Sequence, residues 1–336
     1  MSGLPPLAGQ GSTNSNCLDL VGLSPLMART SGRPEISIGL IDGPVVLDHP
    51  DLAAENIREV PGKLPAACAV ASDAACAHGT FIAGILHAKR MSVAPAICPG
   101  CTLLVRPIFS EAPASDEQMP SASAKELANA IFDAIETGAR VINLSAALEG
   151  PLPADGRSLQ EALDFALRRG LVVVAAAGNQ GAVGGSIITS HPWVIPVAAY
   201  NLRRHPMGIS NLGASIGRCG LGAPGESVTS LGVNGPVTMG GTSAATPFVT
   251  GSVCRMQDEN PAAKDEPQSK PYQVRLPGFI SAAVRRQPAQ RSNRRIRSAV
   301  PKPMMGPSAM AAFATNHDWL TSVMGVRCSL FVPDAE

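Results

Sequence analysis

SAKELANAIFDAIETGARVINLS, residues 123–145, carries two periodicities in succession. Leu127, Ile131 and Ile135 recur every four residues with Ala130 and Ala134 beside them, the spacing that lines one face of an α-helix, and Gly138 ends the pattern as a C-terminal cap does. ARVINLS (139–145) then reads as a short apolar run suited to a strand covered on both faces. The pairing returns in SLQEALDFALRRG (158–170) and LVVVAAAGN (171–179), and further apolar runs stand at EISIGLID (35–42), TLLVRPI (102–108) and WVIPVAAY (193–200). Strand, helix and strand in repetition imply right-handed crossovers, hence a three-layer α/β fold with a mostly parallel central sheet and helices on both faces. Sites in such sheets form beyond the carboxyl ends of the strands.

The 336 residues, 45% hydrophobic and 16% charged, are enough for a large core, and 33 Gly with 30 Pro stay below the level of a low-complexity chain. Charge divides at residue 255: 16 Lys/Arg against 19 Asp/Glu before it, 11 against 7 after it. Three parts are expected: a flexible lead at 1–20, a compact domain at 21–255, and a Pro/Arg-rich segment at 256–336 that is disordered or atypical. RRQPAQRSNRRIRSAVPKP (285–303) is strongly basic but has no aromatic interleaving, so a nucleic-acid partner is not expected. No basic start followed by an apolar run opens the chain, and no segment approaches ~18 uninterrupted apolar residues. No membrane association, a cytoplasmic location and mostly reduced thiols are the resulting expectations. The oligomeric state is left open.

The strand ends hold the informative residues. ISIGLID finishes on Asp42, LVVVAAAGN finishes on Asn179, and VINLS brings Asn143 and Ser145 to a comparable position. CAHGTFIAGIL (76–86) has His78 opening a helical pattern, and GGTSAATPFVTG (240–251) does the same with Ser243. A His and a Ser, each read at a helix start, with an Asp at a strand end, are the parts of an acyl-transfer site.

These segments, in the order Asp, His, Ser, resemble the subtilisin-like serine peptidases, the subtilases. HGT, AAAGN, APG (223–225) and GTSAATP stand in the family's order, and HPDL (49–52) follows the Asp segment. The resemblance covers about residues 20–255 and implies a subtilisin-like fold and a serine endopeptidase. It makes Ser243 the nucleophile, His78 its base, Asp42 the residue that orients the imidazole, and the Asn179 side chain with the Ser243 N–H the oxyanion donors. It further implies that Ser145, Ala146 and Ala147 pair with substrate backbone as an added strand and that Ala177 and Gly178 belong to the pocket floor. The partner would be a peptide or protein substrate. An inactive module that binds peptides on the same fold is the alternative.

Local departures narrow the reading. IDGPV, with Gly43 and Pro44 after the Asp, and PAICPGCTLLVRPIF (95–109) resemble the peptidases of cyanobactin-type precursor processing, which makes precursor cleavage the expected role. Only about 20 residues precede the family-like part, so folding without a prodomain is expected. No cofactor is required; calcium is allowed as a stabilising ion, with Asp48 at a position that can ligate it in the family. CPGC has metal-site spacing, so a zinc site of Cys68, Cys76, Cys98 and Cys101 competes with local disulfides and with free thiols, and no metal is assigned. The segment after Ser243 turns charged and Pro-rich within a few residues, TGSVCRMQDENPAAKDEP, and incomplete packing below Ser243 is expected there.

Overall fold

A computed structural model describes residues 10–70, 73–111, 122–145, 156–259 and 280–281. In chain order its elements are α1 (Gln10–Leu20), α2 (Leu23–Arg29), β1 (Ser37–Asp42), β2 (Ile57–Glu59), α3 (Ala74–His87), β3 (Thr102–Pro107), α4 (Ala124–Glu136), β4 (Val141–Leu144), α5 (Gly156–Arg168), β5 (Val172–Ala176), α6 (Ile187–Ser190), β6 (Val194–Tyr200), α7 (Ala214–Cys219), β7 (Leu221–Pro224), β8 (Val228–Ser230), β9 (Val237–Met239), α8 (Thr242–Glu259) and β10 (Ile280–Ser281). The main sheet has the order β10-β7-β6-β5-β4-β1-β3-β2. Every pairing from β7 to β2 is parallel, and β10 joins β7 antiparallel at the edge. The five apolar runs read as strands and the two amphipathic helices all appear; the strands and α4 are shorter than read by one to three residues at one or both ends, and α5 is shifted two residues toward the N-terminus.

Alternation along the strands sends side chains to two cores. Leu40, Leu103, Val105, Val141 and Val174 face one layer with Phe81, Ile82 and Ile85 of α3 and Phe248 and Val249 of α8. Their neighbours Ile41, Leu104, Ile142 and Val173 face the other, against Leu127 and Ile131 of α4 and Leu159 and Leu163 of α5. This two-sided burial explains why the strands read as continuous apolar runs. Ser123 caps α4 by accepting from the Glu126 N–H at 3.1 Å, and the strand ends of the site collect at one rim.

Two expectations are corrected. The lead is helical from Gln10, and Asn14 ties α1 down by donating to the carbonyls of Val93 and Thr229 at 2.7 and 2.8 Å. The helix below Ser243 is well packed: α8 runs 18 residues, past 255, with Val253, Cys254, Arg255 and Met256 buried. Its polar end is a docking surface inside the protein, where Arg255 donates to the carbonyls of Leu26 and Thr30, and Asp258 receives Thr30 and Arg33. Of the alternatives open for the cysteines, the local disulfide is the one seen beside the His78 segment: Cys68 is bonded to Cys76, which removes two sulfurs from the four-thiolate set, while Cys98, Cys101 and Cys254 are buried free thiols. Among the described residues no helix is long and apolar enough to cross a membrane. Ala146, Ala147 and the basic run 285–303 lie outside the described residues.

Candidate active site

Asp42 is the last residue of β1 and is fully buried. Its Oδ1 accepts from the Gly43 N–H at 2.7 Å and lies 2.6 Å from Nδ1 of His78. Its Oδ2 is buried with no hydrogen-bond partner. The approach of α3 to the end of β1 depends on two glycines. A Cβ on Gly43 would collide with the Ala75 carbonyl, and one on Gly79 would collide with the carbonyls of Pro44 and Gly43. Any side chain at either position would push the imidazole away from its carboxylate.

His78 sits in the second turn of α3, not at the helix start expected from the sequence. The true cap is Asp73, whose side chain accepts from the N–H groups of Ala75 and Cys76; the aspartate before an apolar run was the signal for it. With a carboxylate on Nδ1, that nitrogen carries the proton and Nε2 is left as the acceptor. The ring is 14% exposed. Burial pushes its pKa down, but the charge of Asp42 and the hydrogen bond to it outweigh burial, and His78 is raised above 6.5.

Across the rim, Gly241 has φ +107° and donates to the Gly225 carbonyl at 2.7 Å, a left-handed turn that swings the chain into α8. Thr242, fully buried, donates from its backbone N–H and its hydroxyl to Asn179 Oδ1 at 2.9 and 3.0 Å, and accepts from the Gly178 N–H at 3.2 Å. Two donors on one end of the carboxamide identify that end as oxygen and leave Nδ2 as the outward donor on exposed Asn179. Thr242 was missed by sequence reasoning; its only signal is a hydroxyl residue between Gly241 and Ser243.

Ser243 follows, with its N–H among the first four of α8, which have no carbonyl one turn back. Its hydroxyl donates to the Ser145 carbonyl at 2.9 Å, and no hydrogen bond joins it to His78. Of the residues singled out in the sequence, Asp42 and His78 are therefore in contact, as are Ser243 and Ser145. Asn179 is held by Thr242, and Ala177 and Gly178 form the chain leading to it, Ala177 donating to the Val197 carbonyl. Cys68, Cys76 and Glu111 bring ligand-type atoms together, but both sulfurs are spent in the disulfide and Glu111 accepts from the N–H groups of Ala69 and Val70.

A parallel α/β sheet whose strand ends carry a buried acid–imidazole pair, a carboxamide donor and a seryl helix start has the layout of a hydrolytic α/β protein. The family model described as "Subtilase family" matches residues 33–288, and the chain belongs to the subtilase family. Subtilisin amylosacchariticus of Bacillus subtilis subsp. amylosacchariticus is 28% identical over 263 residues, covering 76% of this chain and 59% of the relative. This chain thus spans about three fifths of the length of that curated relative. Among solved structures, the protease domain of PatA is 30% identical with a TM-score of 0.64, covering 70% of this chain and 84% of that one. The prenylagaramide maturation protease PagA is 29% identical with a TM-score of 0.63, covering 73% and 83%.

Proposed function

We propose that this chain is a serine endopeptidase that hydrolyses peptide bonds through an acyl-enzyme on Ser243. The observation that carries the reading is the 2.6 Å contact between His78 Nδ1 and buried Asp42 at the rim where α8 begins. Asp42 fixes the tautomer that leaves Nε2 as a base and stabilises the imidazolium that forms. The Ser243 hydroxyl leaves the Ser145 carbonyl, gives its proton to Nε2, and its oxygen bonds to the scissile carbonyl carbon. Charge on the former carbonyl oxygen is met by Asn179 Nδ2 and the Ser243 N–H. His78 then returns the proton to the leaving amine as the C–N bond breaks, and a water, deprotonated by the same ring, releases the acyl group.

The substrate is an extended peptide pairing with the segment from Ser145 onward, and the expected task is processing of a precursor peptide. IDGPV, PAICPGCTLLVRPIF and the similarity to PatA and PagA support that task. The inactive peptide-binding reading has one observation in its favour, the Ser243 hydroxyl bonded to Ser145 instead of His78. Incubation with a random peptide library separates the two. The endopeptidase reading expects internal cleavage by the parent and none by Ser243→Ala; a folded parent that cleaves nothing, or a variant that cleaves equally, overturns it.

A further inference from the structure

Pro247 stands on α8 where the N–H that would bond to the Ser243 carbonyl should be, and proline has none. That carbonyl instead receives the Ser145 hydroxyl at 3.4 Å, while the Ser243 hydroxyl donates to the Ser145 carbonyl at 2.9 Å, so the two serines clasp each other. Ser145 is held in turn by Asn143 of β4, whose Nδ2 donates to the Ser145 hydroxyl oxygen at 2.8 Å. The Asn143 Oδ1 accepts from the Thr250 hydroxyl at 2.8 Å. Thr250 belongs to α8 itself, so the chain of bonds leaves the Ser helix at its third turn, crosses β4 and returns to the helix start.

Thr250 departs from its helix in an informative way. Thr246 and Ser252 bond to the carbonyls one turn back, Thr242 and Phe248, at 2.7 Å each, the usual habit of helical hydroxyls. The Thr250 hydroxyl is 3.3 Å from its corresponding carbonyl, Thr246, and is drawn to Asn143. Asn143 and Thr250 are both fully buried, so they do not reach the cleft, and each polar atom of the pair is costly to leave unmatched.

We propose that Asn143 and Thr250 are positioning residues for Ser243, acting through the Ser145 hydroxyl to fix where the nucleophile stands. The inference rests on Ser243 being the nucleophile. Cutting the chain at its far end frees the Ser145 hydroxyl and misplaces the serine; the imidazole is untouched, and the substrate pairs with the main chain from Ser145 onward rather than with that hydroxyl.

The test uses the full chain with Thr250→Val, Thr250→Ser, Ser145→Ala and the Thr250→Val/Ser145→Ala double variant. Readouts are thermal midpoint, kcat and KM per titrated site, and the rate at which an organofluorophosphonate labels Ser243. Thr250→Val should lower kcat and labelling rate by ~10-fold or more, since displacements of about 1 Å can cost 10²-fold. KM should stay within about twofold, Thr250→Ser should restore the rate, and the double variant should be no slower than the slower single, because both cut one chain. A lowered midpoint with unchanged rates, or fully additive losses in the double variant, overturns positioning. Should Thr250→Val not fold, Thr250→Ala with Ser145→Ala carries the same comparison. A folded parent that takes no label defeats the nucleophile reading, and this proposal with it; a labelled parent with unaffected variants defeats the positioning alone.

Discussion

Asn179 has two ends with two jobs, and they can be separated. Its Oδ1 accepts from the N–H and hydroxyl of Thr242 at 2.9 and 3.0 Å, while Nδ2 is the outward donor proposed for the oxyanion. Asn179→Ala removes both ends. Loss of the donor should cost about 2.7–4 kcal/mol of transition-state stabilisation, ~10²–10³ in kcat. Loss of the acceptor strands two donors of a fully buried threonine, about 1–3 kcal/mol of stability. Asn179→Asp keeps an acceptor for Thr242 and loses the donor, so its thermal midpoint should stay near the parent's while kcat falls at least as far as in Asn179→Ala. Steady-state kinetics on a cleaved library peptide, with differential scanning calorimetry of all three proteins, measures both effects. Should Asn179→Asp keep kcat within about tenfold of the parent, the oxyanion role of Nδ2 is refuted.

Four other perturbations have worked signs. Only the neutral imidazole can take the serine proton, so kcat/KM should rise tenfold per pH unit on the acid side and level off above a midpoint higher than 6.5. Asp42→Asn should move that midpoint down and lower kcat by ~10⁴; a parent midpoint at or below 6.5 contradicts the His78–Asp42 coupling. The same raised pKa stabilises the fold fully below 6.5 and loses that contribution as pH rises through the folded value, which urea titrations across pH would register as a slope absent from His78→Ala. Gly79→Ala sets a Cβ against two backbone carbonyls that cannot rotate away; a loss of about 1–3 kcal/mol and a drop in kcat are expected, and wild-type kinetics would show that α3 need not sit so close. Arg106, 2% exposed, holds Glu126 and Asp133 at 2.9 Å each, so Glu126→Ala should cost about 1–3 kcal/mol with kcat per folded molecule unchanged; an unaltered thermal midpoint would contradict this.

What could be read from the chain follows what leaves a local pattern. Burial on both faces makes β1, β3, β4, β5 and β6 continuous apolar runs, and the four-residue spacing of Leu127 and Ile131 marks α4, so the layers were legible. The three-residue strands β2, β8 and β9 have too few positions to show any period. The end of α8 was misjudged because Arg255 and Asp258 look solvent-facing in sequence, whereas their partners, Leu26, Thr30 and Arg33, lie more than 220 residues away. Asp42, His78, Asn179 and Ser243 stood out because glycine-rich turns and strand ends frame them. Thr242, Asn143 and Thr250 did not, since their roles consist of hydrogen bonds to residues remote in the chain. The cysteines were legible as candidates only: spacing allowed several pairings, and the Asp73 turn that brings Cys76 back beside Cys68 is a feature of the folded loop.

The most direct measurement is mass-spectrometric mapping after exposure of the full-length folded protein to an organofluorophosphonate. A single adduct on Ser243, absent from Ser243→Ala and forming far more slowly in His78→Ala, is the expected result. An intact protein that stays unlabelled, or an adduct whose rate ignores the loss of His78, would contradict a nucleophile activated by the Asp42–His78 pair.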